Sequence, residues 1–337
     1  MEGSVAEQIS KLGIKKKILA AGVGITPSSL SKFLAGTKGY DSPALARRIA
    51  AFLDQYPAPP TSAKRRRGDL SSQTSNQPPH MIKIAITNNK GGTGKTTVAH
   101  NLAAGLHRLN YSVLMVDLDP QANLSLIAGV PETDNHIARL LNKELPWENV
   151  VYDLPVEAHE KPLAILPAQQ RLSAYEYLLK EKTNWQFLLR NVLKDKAYDF
   201  VVMDCPPNLG FYTANALTCA DYYVVPMQGE TLVFVGLDKI IETCDEIREN
   251  INPALKLAGV LQVKFDKQTT IGKVIANKTR EYGYPVFKTG IRKDVSVVES
   301  QHVRMSLFAY NPDSRACQDM TQVVDEFLTI CGINQAA

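Results

Sequence analysis

The sequence of 337 residues has no long hydrophobic run and no paired cysteines, and each absence removes a class of protein. No segment reaches the ~18 apolar residues of a membrane-spanning helix, and the amino terminus lacks the hydrophobic core of a signal peptide. The five cysteines include no C-x-x-C pair, which argues against a zinc site, an iron–sulfur cluster or a disulfide framework. We therefore expect a cytoplasmic protein with buried thiols and no membrane partner.

The excess of positive charge is small for the chain but lies at one end. The formal net charge is +4. Residues 1–80 contain twelve Lys and Arg against five Asp and Glu, whereas the remainder contains 26 against 29. A basic segment on a nearly neutral body indicates an anionic partner for that segment, with nucleic acid as the first candidate.

Residues 1–56 have apolar residues at helical spacing, divided by helix breakers, and predict a small all-α domain. A helix over 16–22, a turn and a second helix over 27–35 have the length and turn chemistry of a helix-turn-helix, which resembles the phage-repressor type. In such a unit the second helix enters the major groove. An ordinary protein-binding bundle is the alternative. The predicted DNA-binding residues of the second helix are Ser28, Ser29, Ser31 and Lys32.

Residues 57–80 contain almost nothing apolar and predict a linker. Ser, Thr, Gln, Asn and Pro cannot bury a core, so we expect a flexible tether. Within it Lys64, Arg65, Arg66 and Arg67 are adjacent, which suits contacts to DNA phosphates without sequence reading. A solvated run of charge is the alternative.

Residues 81–337 alternate between β-type and helical patterns. The strands are uninterrupted aliphatic runs, as in a parallel sheet covered on both faces. We predict an α/β fold with a doubly wound, mostly parallel sheet. The predicted strands are 82–87, 113–117, 164–167, 200–204, 222–226, 257–263 and 286–289, and the predicted helices are 98–109, 232–250, 270–282 and 314–328.

A glycine-rich segment, residues 88–97, lies between the first strand and the first helix of this domain. Its glycines tolerate unusual φ angles and leave backbone N–H groups open to a triphosphate. Lys95 would reach the β- and γ-phosphates, and the Thr96 hydroxyl would bind Mg²⁺. A glycine-rich turn with incidental lysines is the alternative. The predicted ATP-binding residues are Lys90, Gly91, Gly92, Thr93, Gly94, Lys95, Thr96 and Thr97.

Hydrolysis also needs a carboxylate for the metal and a group that positions water, and two strand ends offer them. Asp204 closes an apolar strand, where a Walker B aspartate would hold Mg²⁺ through water. Asp117 and Asp119 follow the second strand. The alternative is that these aspartates only form turns, because Asp-Pro is common in turns.

Three segments together resemble the ParA/MinD family of deviant Walker A ATPases. They are K-G-G-T-G-K-T at 90–96, D-L-D-P-Q-A-N at 117–123 and D-C-P-P-N-L-G at 204–210. Residues 226–230, P-M-Q-G-E, also resemble the family's P-x-Q-x-E run. The resemblance to ParA-type partition ATPases, which are P-loop NTPases, covers residues 83 to about 327. It implies that Lys90 crosses a dimer interface to the partner's nucleotide. It also implies that Asp119 orients or activates the attacking water, while Asp117 supports the Lys95 and Mg²⁺ arrangement.

The resemblance implies a Mg²⁺-dependent ATPase that segregates plasmid or chromosomal DNA. ATP would close a homodimer that coats double-stranded DNA on the nucleoid, and a ParB-like centromere-binding or adaptor protein would stimulate hydrolysis. The helix-turn-helix is compatible with repression of the protein's own operon. An ATPase that positions a protein cargo is the alternative. A membrane-associated, MinD-like regulator fits less well, because the carboxy terminus is acidic and not a basic amphipathic helix.

The sequence departs from the family where adenine and DNA contacts are expected. Gln268 replaces an arginine, and the segment 291–294 reads I-R-K-D instead of I-P-R-N. Clustering of basic residues in this half of the chain nevertheless suggests a face for non-specific DNA binding. Its members would be Lys273, Lys278, Arg280, Arg292 and Lys293.

Overall fold

A computed structural model of the chain describes residues 27–34, 49, 80–155, 161–228, 233–265, 281 and 283–333. The chain divides into two compact units, residues 1–73 and 74–337. In the first unit, helix α1 (Pro27–Leu34) coincides with the predicted second helix of the helix-turn-helix. The remainder of that motif and residues 57–79 of the predicted linker lie outside the described residues. The helix-turn-helix domain and the domain boundaries therefore stay predictions.

The described part of the second unit contains an eight-stranded sheet in the order β3-β4-β2-β5-β1-β6-β7-β8. All neighbouring strands are parallel except β3, which is antiparallel to β4. This confirms the predicted mostly parallel α/β sheet. The strands are β1 (Ile82–Ile86), β2 (Val113–Asp117), β3 (Tyr152–Asp153), β4 (Leu163–Leu166), β5 (Phe200–Asp204), β6 (Tyr222–Gln228), β7 (Lys256–Phe265) and β8 (Ile291–Arg292).

Helices connect the strands. The described helices of this unit are α2 (Lys95–Arg108), α3 (Asn123–Ile127), α4 (Ile137–Leu141), α5 (Trp147–Val150), α6 (Leu172–Lys180), α7 (Leu188–Leu193), α8 (Phe211–Cys219), α9 (Val233–Asn250), α10 (Val295–His302), α11 (Leu307–Tyr310) and α12 (Arg315–Ile330), with a 3₁₀ turn at Trp185–Phe187. None of the described helices is long and apolar enough to cross a membrane.

Each face of the sheet buries its own hydrophobic cluster, because successive side chains of a strand point to opposite faces. On β5, Val201 and Met203 join the cluster that contains α8 and α9 side chains. Phe200 and Val202 join the cluster formed with α2 and α12. Gly105 brings these two helices together, since a Cβ there would lie 2.6 Å from a methyl group of Val324. Burial on both faces holds the strands in place, and with them the strand ends at which the site forms.

The last predicted strand, 286–289, is wrong apart from one residue. Val286 makes an isolated bridge to Val260, and the edge strand is β8. The backbone N–H groups of Lys288 and Thr289 donate to the carboxylate of Glu326 instead of to a strand. A side chain of α12 therefore takes the donors that a strand would have used. The predicted helix at 270–282 falls almost wholly outside the described residues.

Candidate nucleotide-binding site

The carboxyl ends of β1, β2 and β5 meet at one edge of the sheet. Asp117 on β2 and Asp204 on β5 are direct register partners, and Asp204 also lies opposite Ile86 on β1. The glycine-rich loop leaves β1 at the same edge. The order of the strands thus brings together three segments that are far apart in the sequence, as expected for a ligand site in an open α/β sheet.

The glycine-rich loop has left-handed backbone at two of its glycines. Gly92 has φ 73°, and Gly94, with φ 85°, precedes the first residue of α2. A side chain at Gly94 would be strained, and its Cβ would lie 3.4 Å from the Val263 side chain. The loop is tied to the sheet through Asn88, whose amide donates to the Pro226 carbonyl at 2.7 Å and accepts from the Lys90 N–H at 2.9 Å. Sequence and geometry agree that this is a phosphate-binding loop.

Lys95 is buried at the start of α2, and its ammonium points back into the loop. Its Nζ donates to the Lys90 carbonyl at 3.0 Å. Burial lowers the pKa of Lys95, whereas Asp204, Cys205 and Asp119 act to raise it. A buried cation at the amino-terminal end of a helix, where backbone N–H groups are open, is suited to an anion such as a phosphate.

Asp204 is the unsatisfied group of the site. Both of its oxygens are buried without a hydrogen bond of normal geometry. Burial raises the pKa of Asp204 well above its usual value, the nearby charge of Asp117 raises it further, and the Thr96 hydroxyl and Lys95 oppose the shift. Buried carboxylates are normally paired or bound to a metal. A carboxylate and a hydroxyl oxygen are the ligand types that Mg²⁺ prefers, so Asp204 and Thr96 fit the ion.

The Asp117 carboxylate is hydrogen-bonded to residues that follow it closely in the chain. One oxygen accepts from the N–H and the hydroxyl of Ser125 at 2.8 and 2.7 Å, and the other accepts from the Asp119 N–H at 3.1 Å. Burial raises the pKa of Asp117 to about 7, against the effect of the bonds from Ser125. Among the described residues its hydrogen bonds do not include Lys95. Its geometry is that of a residue that fixes the β2–α3 loop.

Asp119 lies in the loop that Asp117 fixes. It is 8% exposed and accepts a hydrogen bond from the Gln121 N–H at 2.9 Å. Its charge acts to raise the pKa of Lys95, the first residue after the phosphate-binding loop. Asp119 is thus a carboxylate with an open oxygen acceptor at the same edge as Lys95 and Asp204.

Residues from three other elements contact the loop or α2, and the sequence singled out only one of them. Gln228, in the segment that resembled the family's P-x-Q-x-E run, donates to the Gly92 carbonyl at the end of β6. Lys264 at the end of β7 reaches the same carbonyl at 3.3 Å. Gln301 on α10 donates to the Thr97 hydroxyl at 2.7 Å. Lys264 and Gln301 carry no local pattern that could have marked them.

Among the predicted DNA-binding residues, the structure describes the side chain of Lys32 alone. Lys32 on α1 is exposed, whereas the side chains of Ser28, Ser29 and Ser31 and residues 64–67 lie outside the described residues. The same holds for Lys273, Lys278 and Arg280 of the suggested basic face.

Arg292 does not belong to an open basic face. Its Nε and Nη2 donate to the two oxygens of Asp319 at 2.7 and 2.6 Å. This pair anchors β8 to α12, so the Arg292 guanidinium is already bound to a carboxylate within the fold.

Known proteins are similar to this chain in sequence and in structure. A family model described as an AAA domain matches residues 81–257. The chromosome partitioning protein ParA of Myxococcus xanthus is 33% identical over 243 residues, which cover 70% of this chain and 83% of that protein. The chromosome-partitioning ATPase Soj of Thermus thermophilus is 35% identical over 247 residues, covering 73% and 95%. Cobyrinic acid a,c-diamide synthase from Mycobacterium smegmatis, solved with ADP and magnesium, is similar in structure with a TM-score of 0.64 and 27% identity over 73% of this chain and 93% of that one.

Proposed function

The chain belongs to the ParA-type family of AAA-domain ATPases, and from that premise we propose that it segregates plasmid or chromosomal DNA as an ATP-dependent, DNA-binding homodimer. The protein is a P-loop ATPase that uses ATP and Mg²⁺. The observation that carries the proposal is the position of two lysines on one loop. Lys95 is buried within the loop, while Lys90, at its start, is exposed. An exposed cation at this place is suited to the nucleotide of a second copy.

The residues of the site divide the work of hydrolysis. Lys95 and the backbone N–H groups of 91–97 bind and orient the phosphates. Asp119 holds the attacking water in line, and Asp117 holds the loop that carries Asp119. When bound by Thr96 and Asp204, Mg²⁺ neutralises phosphate charge. Lys90 completes the site from the partner copy, so turnover depends on dimerisation.

The amino-terminal segment supplies the sequence-specific contact to DNA. Residues 1–80 carry a surplus of seven positive charges, and a positive surplus supports binding to phosphates. Ser28, Ser29, Ser31 and Lys32 read an operator upstream of the protein's own operon, which gives autorepression. Lys64, Arg65, Arg66 and Arg67 add contacts without sequence preference. A ParB-like partner stimulates hydrolysis and releases the dimer from the nucleoid.

Nucleotide-dependent DNA binding tests this function. The full chain is titrated onto random DNA and onto its own upstream DNA with ATP, with ADP and without nucleotide. We expect ATP to strengthen binding to random DNA, and upstream DNA to be preferred. Lys95→Ala is the control, because it removes the cation that faces the phosphates. Equal binding in all nucleotide states, or a Lys95→Ala variant that still responds to ATP, would overturn the proposal.

A further inference from the structure

The end of β7 is irregular at Lys264. In the pairing with β8, Val263 lies opposite Ile291 and Phe265 lies opposite Arg292, so that Lys264 is an extra residue in β7. Lys264 has φ 52°, in the left-handed region. Residues other than glycine seldom adopt this backbone, and strain of this kind concentrates at binding and catalytic sites. A bulge of one residue also redirects the side chain that it carries.

The redirected side chain of Lys264 points at the phosphate-binding loop. Its Nζ lies 3.3 Å from the Gly92 carbonyl, across a separation of 172 residues in the sequence. The neighbouring Val263 packs against Gly94, the glycine that precedes Lys95. The bond to Gly92 uses one of the three N–H donors of the ammonium. Gln228 already donates to the same carbonyl. A second donor is not needed there, so holding the loop does not by itself account for a strained lysine.

The strand order shows which part of a bound nucleotide Lys264 would meet. β6 and β7 lie on one side of β1, whereas β5 and β2 lie on the other. Asp204 and Asp119 stand at the ends of β5 and β2, so the metal and the terminal phosphate belong to that side. Lys264 approaches the loop from the opposite flank. A nucleotide bound with its terminal phosphate on the side of β5 and β2 would therefore have its other phosphates, which ATP and ADP share, nearer to the Lys264 ammonium.

We propose that Lys264 is a third nucleotide-binding cation, beside Lys95 and Lys90, and that it binds the α- and β-phosphates. This inference rests on the ATPase site described above. The bulge and the left-handed backbone cost the fold stability, and they direct the positive charge of Lys264 towards the loop. The role differs from that of Lys90, since Lys264 acts on the nucleotide of its own copy.

Calorimetric titration of ADP and of ATP into the full chain with Mg²⁺ tests the proposal. Lys264→Met removes the charge and the donor, Lys264→Gln keeps a neutral donor, and Lys264→Arg keeps the charge. We expect Kd for both nucleotides to rise about three- to tenfold in Lys264→Met and Lys264→Gln, as for a partly exposed charge contact, and the loss to shrink with added salt. Lys264→Arg should stay within about twofold of the wild type. Lys256→Met is the matched control, an exposed lysine at the other end of β7.

Either of two results with these variants would overturn the proposal. Unchanged affinity in Lys264→Met would show that the charge is not used. Full affinity in Lys264→Gln would show that the side chain only supports the loop. Failure of the wild type to bind either nucleotide would instead contradict the ATPase assignment.

Lys264→Gly separates the backbone from the side chain. Glycine adopts the left-handed backbone without strain, so we expect a higher Tm without nucleotide than for Lys264→Met. Nucleotide affinity should nevertheless fall as in Lys264→Met. Wild-type affinity in Lys264→Gly would contradict the proposal even if Lys264→Met folds poorly.

Discussion

Three carboxylates share one edge of the sheet but differ in what surrounds them. Asp117 is fully hydrogen-bonded within its loop, Asp204 is buried without a donor of normal geometry, and Asp119 is bound on one side only. Such differences in environment separate the roles of chemically identical groups. Asp117 organises the loop, Asp204 suits a cation, and under the proposed function Asp119 is the carboxylate that we expect to act on water.

We expect Asp119→Ala to bind ATP with a Kd within about threefold of the wild type, because the loop and Lys95 are untouched. Its kcat should fall about 100-fold or more, since a positioned general base or water ligand is lost. The measurements are ATP titration and steady-state phosphate release. Asp117→Asn is the comparison, and it should lower Tm as well as kcat because it weakens the bonds to Ser125 and Asp119. An Asp119→Ala variant that fails to bind ATP would contradict this division of roles.

A second prediction at the scale of one residue concerns His100 on α2. It is almost fully buried, its Nδ1 has no partner among the described atoms, and burial lowers its pKa from 6.5 to about 4. The unfolded chain therefore takes up a proton near pH 6.5, whereas the folded protein does so only near pH 4. The stability associated with His100 is complete above pH 6.5 and is lost as the pH falls towards 4.

Urea unfolding at pH 7, 6, 5 and 4 measures this effect. Relative to the wild type, His100→Leu should gain stability as the pH falls, by about 3 kcal/mol across the whole interval. The comparison with the variant removes the contributions of other titrating groups. Parallel pH profiles for the two proteins would show that His100 is protonated in the folded state without cost.

At the scale of elements, the short strand β8 depends on α12. Arg292 and Asp319 form a two-pronged ion pair, and the Arg292 N–H also donates to Asp319 at 2.9 Å. The Asp319 side chain is only 7% exposed. Charge-assisted bonds of this geometry are worth more than surface pairs, because removal of one partner leaves the other charge unsatisfied.

Asp319→Ala should lower the free energy of unfolding by about 2 kcal/mol, since three hydrogen bonds between β8 and α12 are lost together. Denaturant unfolding measures it. Asp134→Ala is the matched control, because the pair of Asp134 with Arg171 is about two-thirds exposed on both sides and such pairs contribute little. Equal effects of the two variants would show that the Arg292 pair is no stronger than a surface contact.

At the scale of the whole molecule, the chain separates into two units with different charge. Residues 1–80 are basic, while the remainder has a slight acidic excess. Under the proposed function we expect the two parts to bind DNA in different ways. Specific recognition needs side chains that reach base edges, whereas non-specific binding needs only positive charge.

Deletion of residues 1–79 should abolish preference for upstream DNA and leave a weaker, ATP-dependent binding to random DNA. Binding of both DNAs is measured across a salt series for the full chain and the truncated chain. Replacement of residues 64–67 by glutamine in the full chain should keep the preference for upstream DNA. It should also flatten the salt dependence of binding, because fewer phosphate contacts form and fewer counterions are released. Sequence preference that survives in the truncated chain would move recognition out of the amino-terminal unit. Loss of all ATP-dependent binding would place the whole DNA interface within 1–79.

The sequence alone determined the phosphate-binding loop, the central strands and the carboxylates at the strand ends. These features are local. Glycines beside a lysine, an aliphatic run and an aspartate that closes it each lie within about ten residues, so a pattern can report them. The order of a parallel sheet then brings strand ends to one edge, which explains why Lys95, Asp119 and Asp204 could be placed in one site from the sequence.

Only the tertiary structure decided how individual side chains are used. Gln301 is hydrogen-bonded to Thr97 across 204 residues, and Asp319 is paired with Arg292. Glu326 accepts from the backbone N–H groups of 288–289, which the sequence pattern had assigned to a strand. The bulge that turns Lys264 towards Gly92 likewise appears only in the pairing of β7 with β8. Each of these contacts joins elements distant in the chain. The physical reason is that the partner of a charge or an N–H group depends on which elements pack together, and neither composition nor periodicity carries that information.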